Sequence, residues 1–133
     1  MFFKSMLTGI AVAIVATGSA YADCTLPADA TNGKMVSNQC KSCHVFEADK
    51  PSRPTGPNLH DVYGEKAGTR KDFPSYSPAI IAANAKGLTW ADDKLDAYLT
   101  DPKAMVPGNK MAFPGLKNEQ DRRNVIAYLS TLK

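Results

Sequence analysis

Three ligating side chains stand within five residues of one another, in the run Cys40-Lys41-Ser42-Cys43-His44. On a helical turn, residues three and four apart share a face, so both thiols and the imidazole can be presented to one object. The remaining elements must then be arranged around that object. The only other cysteine is Cys24 and the only other histidine is His60, so a tetrahedral zinc set can be drawn only without recognisable spacing. A thioredoxin-like redox pair belongs beside a βαβ unit, and no alternating run precedes Cys40.

The start of the chain gives the compartment. Lys4 supplies a positive charge, Leu7 to Gly18 is uncharged and mostly apolar, and Ala20-Tyr21-Ala22 has the small-x-small form of a cleavage site. Residues 1–22 therefore read as a cleaved signal peptide and 23–133 as a single exported domain. The apolar run is too short for a permanent membrane span. In an exported chain, C-x-x-C-H is the signature of covalent c-type haem attachment, with thioethers at Cys40 and Cys43 and His44 as the proximal iron ligand.

The composition agrees with a domain built on a cofactor. Removing the leader takes away Phe2, Phe3 and Tyr21, leaving eight aromatic residues for the core. So small a domain, punctuated by glycines and prolines, needs a staple beyond its own apolar residues. Loss of Lys4 leaves a formal charge of +2, too mild for a nucleic-acid partner.

The rest of the chain predicts an all-α, loop-rich fold. A first helix is expected over Asp29 to Cys43, with Met35 and Val36 turned toward the core. The Pro/Gly-rich run from Glu47 to Asn58 reads as a loop. Ser77-Pro78 starts a short helix that Gly87 ends. A capping pattern at Thr89 begins another, with Ala91, Leu95, Tyr98 and Leu99 at helical spacing before Pro102. Pro102 to Leu116 reads as a loop, and the last helix as Asn118 to Leu132.

The ligand opposite His44 decides between electron transfer and small-molecule chemistry. Met35 lies on the proximal helix and reads as core packing. Met105 and Met111 share the late Pro/Gly loop, and spacing alone divides them evenly.

At this point the chain resembles a family. Cys40-Lys41-Ser42-Cys43-His44, Gly56-Pro57-Asn58-Leu59-His60, Gly87-Leu88-Thr89-Trp90, Pro107-Gly108-Asn109-Lys110-Met111-Ala112-Phe113 and Val125-Ile126-Ala127-Tyr128-Leu129 follow one another as in soluble class I c-type cytochromes. These are bacterial periplasmic relatives of mitochondrial cytochrome c. The resemblance covers about Gly33 to Leu132 and implies the small cytochrome c fold, three to five helices with long loops around one covalent haem. It selects Met111 over Met105 as distal ligand and gives the Pro57 carbonyl to His44. It places Tyr76 and Trp90 on a haem propionate and Tyr98 near the axial methionine. Val36, Val125 and Tyr128 fall where first and last helices cross.

Two positions depart from the family pattern. Glu65 stands where many members carry a propionate-binding arginine, so Lys66 or Arg70 is left to substitute. Cys24 has no counterpart, and reads as an exposed thiol near the terminus or one half of an intermolecular disulfide. His60 reads as a surface histidine.

The function implied is one-electron transport by a periplasmic monomer without membrane anchor or enzymatic activity, because both axial positions are filled. Lys41, Lys103, Lys110 and Lys117 would form a basic collar that steers it onto acidic patches of membrane oxidases, reductases or dehydrogenases. Two alternatives stand beside it. One is a haem peroxidase or gas sensor with a displaceable methionine; the other is a fixed electron-transfer subunit of a dehydrogenase.

Overall fold

The computed structural model describes residues 26–133. The segment read as a leader, its expected cleavage site and Cys24 lie outside the described residues. The elements are α1 (Ala30–Val36), a 3-10 turn (Ser37–Cys40), α2 (Pro78–Ala85), α3 (Asp92–Thr100), α4 (Pro102–Met105) and α5 (Glu119–Ser130). There is no β-strand among the described residues, where pairing is limited to the isolated bridges Arg53–Gly56 and Lys66–Thr89. No helix among them is long and apolar enough to cross a membrane.

Asp29 caps α1, its carboxylate accepting from the amides of Thr31 at 2.7 Å and Asn32 at 3.3 Å. The helix stops earlier than the sequence predicts. The Ser37 hydroxyl donates back to the Gly33 carbonyl at 2.7 Å, and the chain tightens into the 3-10 turn. The Cys43 and His44 amides then both donate to the Cys40 carbonyl, at 3.1 and 2.9 Å. Gly33, Val36, Ser37 and Cys40 are the positions at helical spacing that face inward. Met35 falls outside that stripe and is 60% exposed, contrary to the core role expected of it.

The predicted second helix stands as read: Ser77 caps α2, Pro78 opens it and Gly87 follows it at φ 89°. Thr89 does not cap α3. It bridges Lys66, and Ala91 occupies the N-cap without a side-chain bond. Asp92 and Asp93 complement the helix dipole in its first turn instead. The segment after Pro102 is not all loop. Asp101 accepts from the Ala104 amide at 3.0 Å, so Pro102 ends one helix and begins the next.

The most extensive helix–helix contact of the fold is the crossing of α1 on α5. Gly33 lies so close to α5 that a Cβ there would overlap the Asn124 carbonyl and come within 2.9 Å of the Tyr128 Cβ. The buried Asn124 side chain accepts from the Asp29 amide at 2.9 Å and from Gln120 at 3.0 Å, tying the start of α1 to the same place. Val125 is buried at this crossing, with Val36 and Tyr128 packed against its cluster.

The core is divided. One cluster joins Phe46, Leu95, Leu99, Leu116, Val125, Ile126 and Leu129; the other joins Ala67, Ile80 and Val106, with Tyr76, Tyr98 and Met105 beside them. Trp90 packs against both. A single domain ordinarily has one contiguous core.

Candidate haem site

Between the clusters lies a cavity of about 1070 Å³, walled by residues of both, including Phe46, Leu95, Leu99, Leu129 and Ile80. Folded interiors hold few voids larger than a water molecule, so this space is a binding site. Cys40, Cys43, His44 and Met111 all line it. Of the three candidate methionines, Met35 is exposed and Met105 packs on the second cluster, and neither reaches the cavity.

The proximal side is built by two loops. The His44 Nδ1–H donates to the Pro57 carbonyl at 2.7 Å, which leaves the lone pair on Nε2. Burial lowers the His44 pKa, with the Pro57 bond opposing it, so the ring is neutral and able to ligate at pH 7. Burial also raises the pKa of the Cys40 thiol, helped by the neighbouring Cys43. Gly56 is buried beneath the imidazole. A Cβ there would stand 2.7 Å from His44 Cε1 and 2.8 Å from the Cys43 carbonyl.

Two asparagines that sequence reasoning passed over hold these loops. The Asn58 amide, 2% exposed, donates to the carbonyls of Glu47 at 2.8 Å and Lys50 at 2.7 Å, and its oxygen accepts from the His60 amide at 2.8 Å. Asn109 does the same on the other loop, donating to the carbonyls of Pro102 at 2.7 Å and Val106 at 2.8 Å. Its oxygen accepts from the Met111 amide at 2.8 Å, fixing the backbone that brings Met111 to the cavity. The available signal was an Asn within each Pro/Gly-rich loop, a residue whose side chain can substitute for backbone partners.

The aromatic wall is half-buried. The rings of Trp90 and Tyr98 meet with centroids 4.8 Å apart, and Tyr76 packs edge-on to Phe73 at 4.9 Å. Burial pushes the Tyr98 phenol up to about 12 and raises that of Tyr76 as well. Tyr76, Trp90 and Tyr98 all line the cavity.

Lys41, Lys103, Lys110 and Lys117 are exposed, and of these Lys110 alone lines the cavity. Lys117 donates to the Thr100 carbonyl at 2.9 Å, and Lys103 and Lys110 make longer contacts with the carbonyls of Asn109 and Ser75, both 3.4 Å. Glu65 is exposed at the cavity rim; its backbone carbonyl accepts from the Trp90 amide at 2.8 Å. His60 is less superficial than expected: its side chain is 16% exposed, with Nδ1 2.8 Å from Asp61.

These residues fit a haem. A large apolar space divides the core, two thiols and a neutral imidazole open onto it, and a thioether joins them from a distant loop. The profile of the Cytochrome c family matches residues 30–133. The chain belongs to the cytochrome c family. It is 47% identical over 123 residues to cytochrome c2 of Rhodomicrobium vannielii, an alignment covering 92% of this chain and 90% of that protein. Identity to cytochrome c2 iso-2 of Magnetospirillum molischianum is 51% over 94 residues, covering 71% and 91%. Cytochrome cH from Methylobacterium extorquens superposes with a TM-score of 0.70 at 41% identity, over 77% of this chain and 98% of that one. This cytochrome thus has the small all-α fold of class I, and its cofactor is a covalent haem c, for which Cys40 and Cys43 are the placed thiols.

Proposed function

We propose that this cytochrome is a periplasmic one-electron carrier, exported by cleavage after Ala22, with haem c held by thioethers at Cys40 and Cys43 and ligated by His44 and Met111. One observation carries the reading: His44, its Nδ1–H committed to Pro57, opens onto the same cavity as Met111. When bound, the haem supplies an iron that cycles between ferrous and ferric.

The residues do the rest. Pro57 keeps the His44 ring in one tautomer and orientation and raises its basicity as a ligand. Gly56 leaves room for that ring, and Asn109 holds the loop carrying Met111. With His44 and Met111 both lining the cavity, an iron held between them would keep no position for oxygen or substrate, and the chain would transfer electrons without catalysing a reaction. Little must move between oxidation states, since both ligands sit on loops locked by buried asparagines. Trp90 and Tyr76 offer an N–H and an O–H to a haem carboxylate, and Tyr98 shares the cavity wall with Met111. The exposed lysines 41, 103, 110 and 117 meet acidic partners, membrane oxidases, reductases or dehydrogenases, by weak and salt-sensitive contacts.

Substitution at the two loop methionines tests the ligand set. Met111→Ala should abolish the weak sulfur-to-iron absorption of the oxidised protein, lower its potential and open the iron to carbon monoxide. Met105→Ala should do none of these; the reverse pattern would transfer the distal role to Met105.

A further inference from the structure

Haem brings two carboxylates into a cavity whose walls are largely apolar, and these must lie where the lining is polar. Polar lining is densest in residues 60–77, which contribute His60, Arg70, Asp72, Ser75 and Tyr76, with the carboxylates Asp61 and Glu65, to the wall. An anion partly removed from water needs a fixed counter-charge, because a mobile surface lysine loses side-chain entropy and is screened by solvent. The cations lining the cavity are Lys66, Arg70, Lys71, Lys110 and Lys133. Lys66, Lys71 and Lys110 are exposed, and Lys133 is drawn off to the Tyr63 carbonyl at 3.0 Å and over its ring at 5.4 Å.

Arg70 is different. Its side chain is 28% exposed, and its Nη1 donates to the His60 carbonyl at 2.7 Å. Its Nε lies 3.4 Å from Asp72 Oδ1. Asp72 is anchored in turn, since its two oxygens accept from the Ser52 amide at 2.7 Å and the Ser52 hydroxyl at 2.9 Å. Those Ser52 bonds, with the Arg70 charge, lower the Asp72 pKa and keep it ionised. The guanidinium is thereby held on two sides, by a hydrogen bond at Nη1 and an ion pair at Nε, while Nη2 keeps no protein partner among the described residues. A planar fork held in this way suits a carboxylate.

We propose that Arg70 is the guanidinium that pairs with a haem carboxylate in this chain, and that Asp72, backed by Ser52, is the residue that positions it and moderates its charge. The proposal rests on the haem reading above. A failure of that reading appears as absence of the haem spectrum, whereas a failure here appears only in the potentials. A positive charge beside the haem favours the ferrous form and a negative one the ferric form. The two members of the pair must therefore act in opposite directions.

The test is an optical redox titration of the haem-loaded protein and of Arg70→Gln, Arg70→Lys and Asp72→Asn at one pH and ionic strength. Held at the midpoint potential of the unsubstituted protein, R70Q should be mostly oxidised and D72N mostly reduced. R70K, which keeps the charge, should lie nearer the unsubstituted protein than R70Q. Loosening of the loop alone would admit water alike in both variants and shift both the same way, which would overturn the proposal. So would an unmoved midpoint in R70Q. If R70Q does not fold, the direction of D72N and the small shift of R70K decide the matter: a D72N midpoint that falls or stays put overturns the pairing.

Discussion

At the scale of single residues, the site depends on small groups placed against large ones. Gly56 is not among the positive-φ glycines, so space alone restricts it: a methyl would press on both the His44 ring and the Cys43 carbonyl. Gly56→Ala should cost about 1–3 kcal/mol, the range for overpacking a tight site, read as a lowered denaturant midpoint at unchanged m. Tyr98 makes a different prediction. Its buried phenol titrates at about 12 rather than 10, so between these values the folded chain binds a proton the unfolded chain has lost. This contribution is fully present below pH 10 and disappears as pH rises through 12. Stability should therefore decline over that interval, and Tyr98→Phe should flatten the decline in unfolding curves taken across it. A slope unchanged in Y98F would assign the alkaline loss to other groups.

At the scale of elements, the α1–α5 crossing is the joint that sets the fold. Gly33→Ala would place a methyl in the Asn124 carbonyl, so it should destabilise by about 2 kcal/mol or more, whereas Gly87→Ala meets open space and costs only its strained φ. Chemical denaturation of the two variants compares them directly. The sequence made the helix starts legible, because Asp29, Ser77 and Asn118 are capping residues whose side chains accept the amides they appeared to await. It did not show that α1 ends at Val36. Helical spacing through Cys43 was apparent, but the Ser37 hydroxyl turns back on Gly33, a choice made by tertiary contact rather than propensity. The same is true of Met35, whose outward position follows from which stripe of α1 the Gly33 crossing buries. Asp101 was a readable cap that the adjacent Pro102 concealed, since a proline that ends one helix also begins another well.

At the scale of the molecule, the divided core is the central fact. Two apolar clusters face one another across a cavity that includes the thiols, the imidazole and the late-loop methionine. The motif alone identified the first three, and spacing left Met105 and Met111 equal. What separates the two in space is Asn109, whose side chain holds the turn so that Met111 faces the cavity while Met105 packs away from it. The exposed lysines give a prediction at this scale: electron exchange with an acidic partner should slow as ionic strength rises, and charge reversal at Lys110, on the cavity rim, should slow it more than reversal at Lys117. Stopped-flow rates across a salt series measure both. The most direct test of the whole account is an optically monitored redox titration of the native protein, run with and without carbon monoxide. A closed one-electron site should give one transition, about 59 mV per decade, on the same curve in both gases. A curve displaced by carbon monoxide, or a reduced spectrum that shifts on its addition, would contradict the account by showing an iron that the chain leaves open.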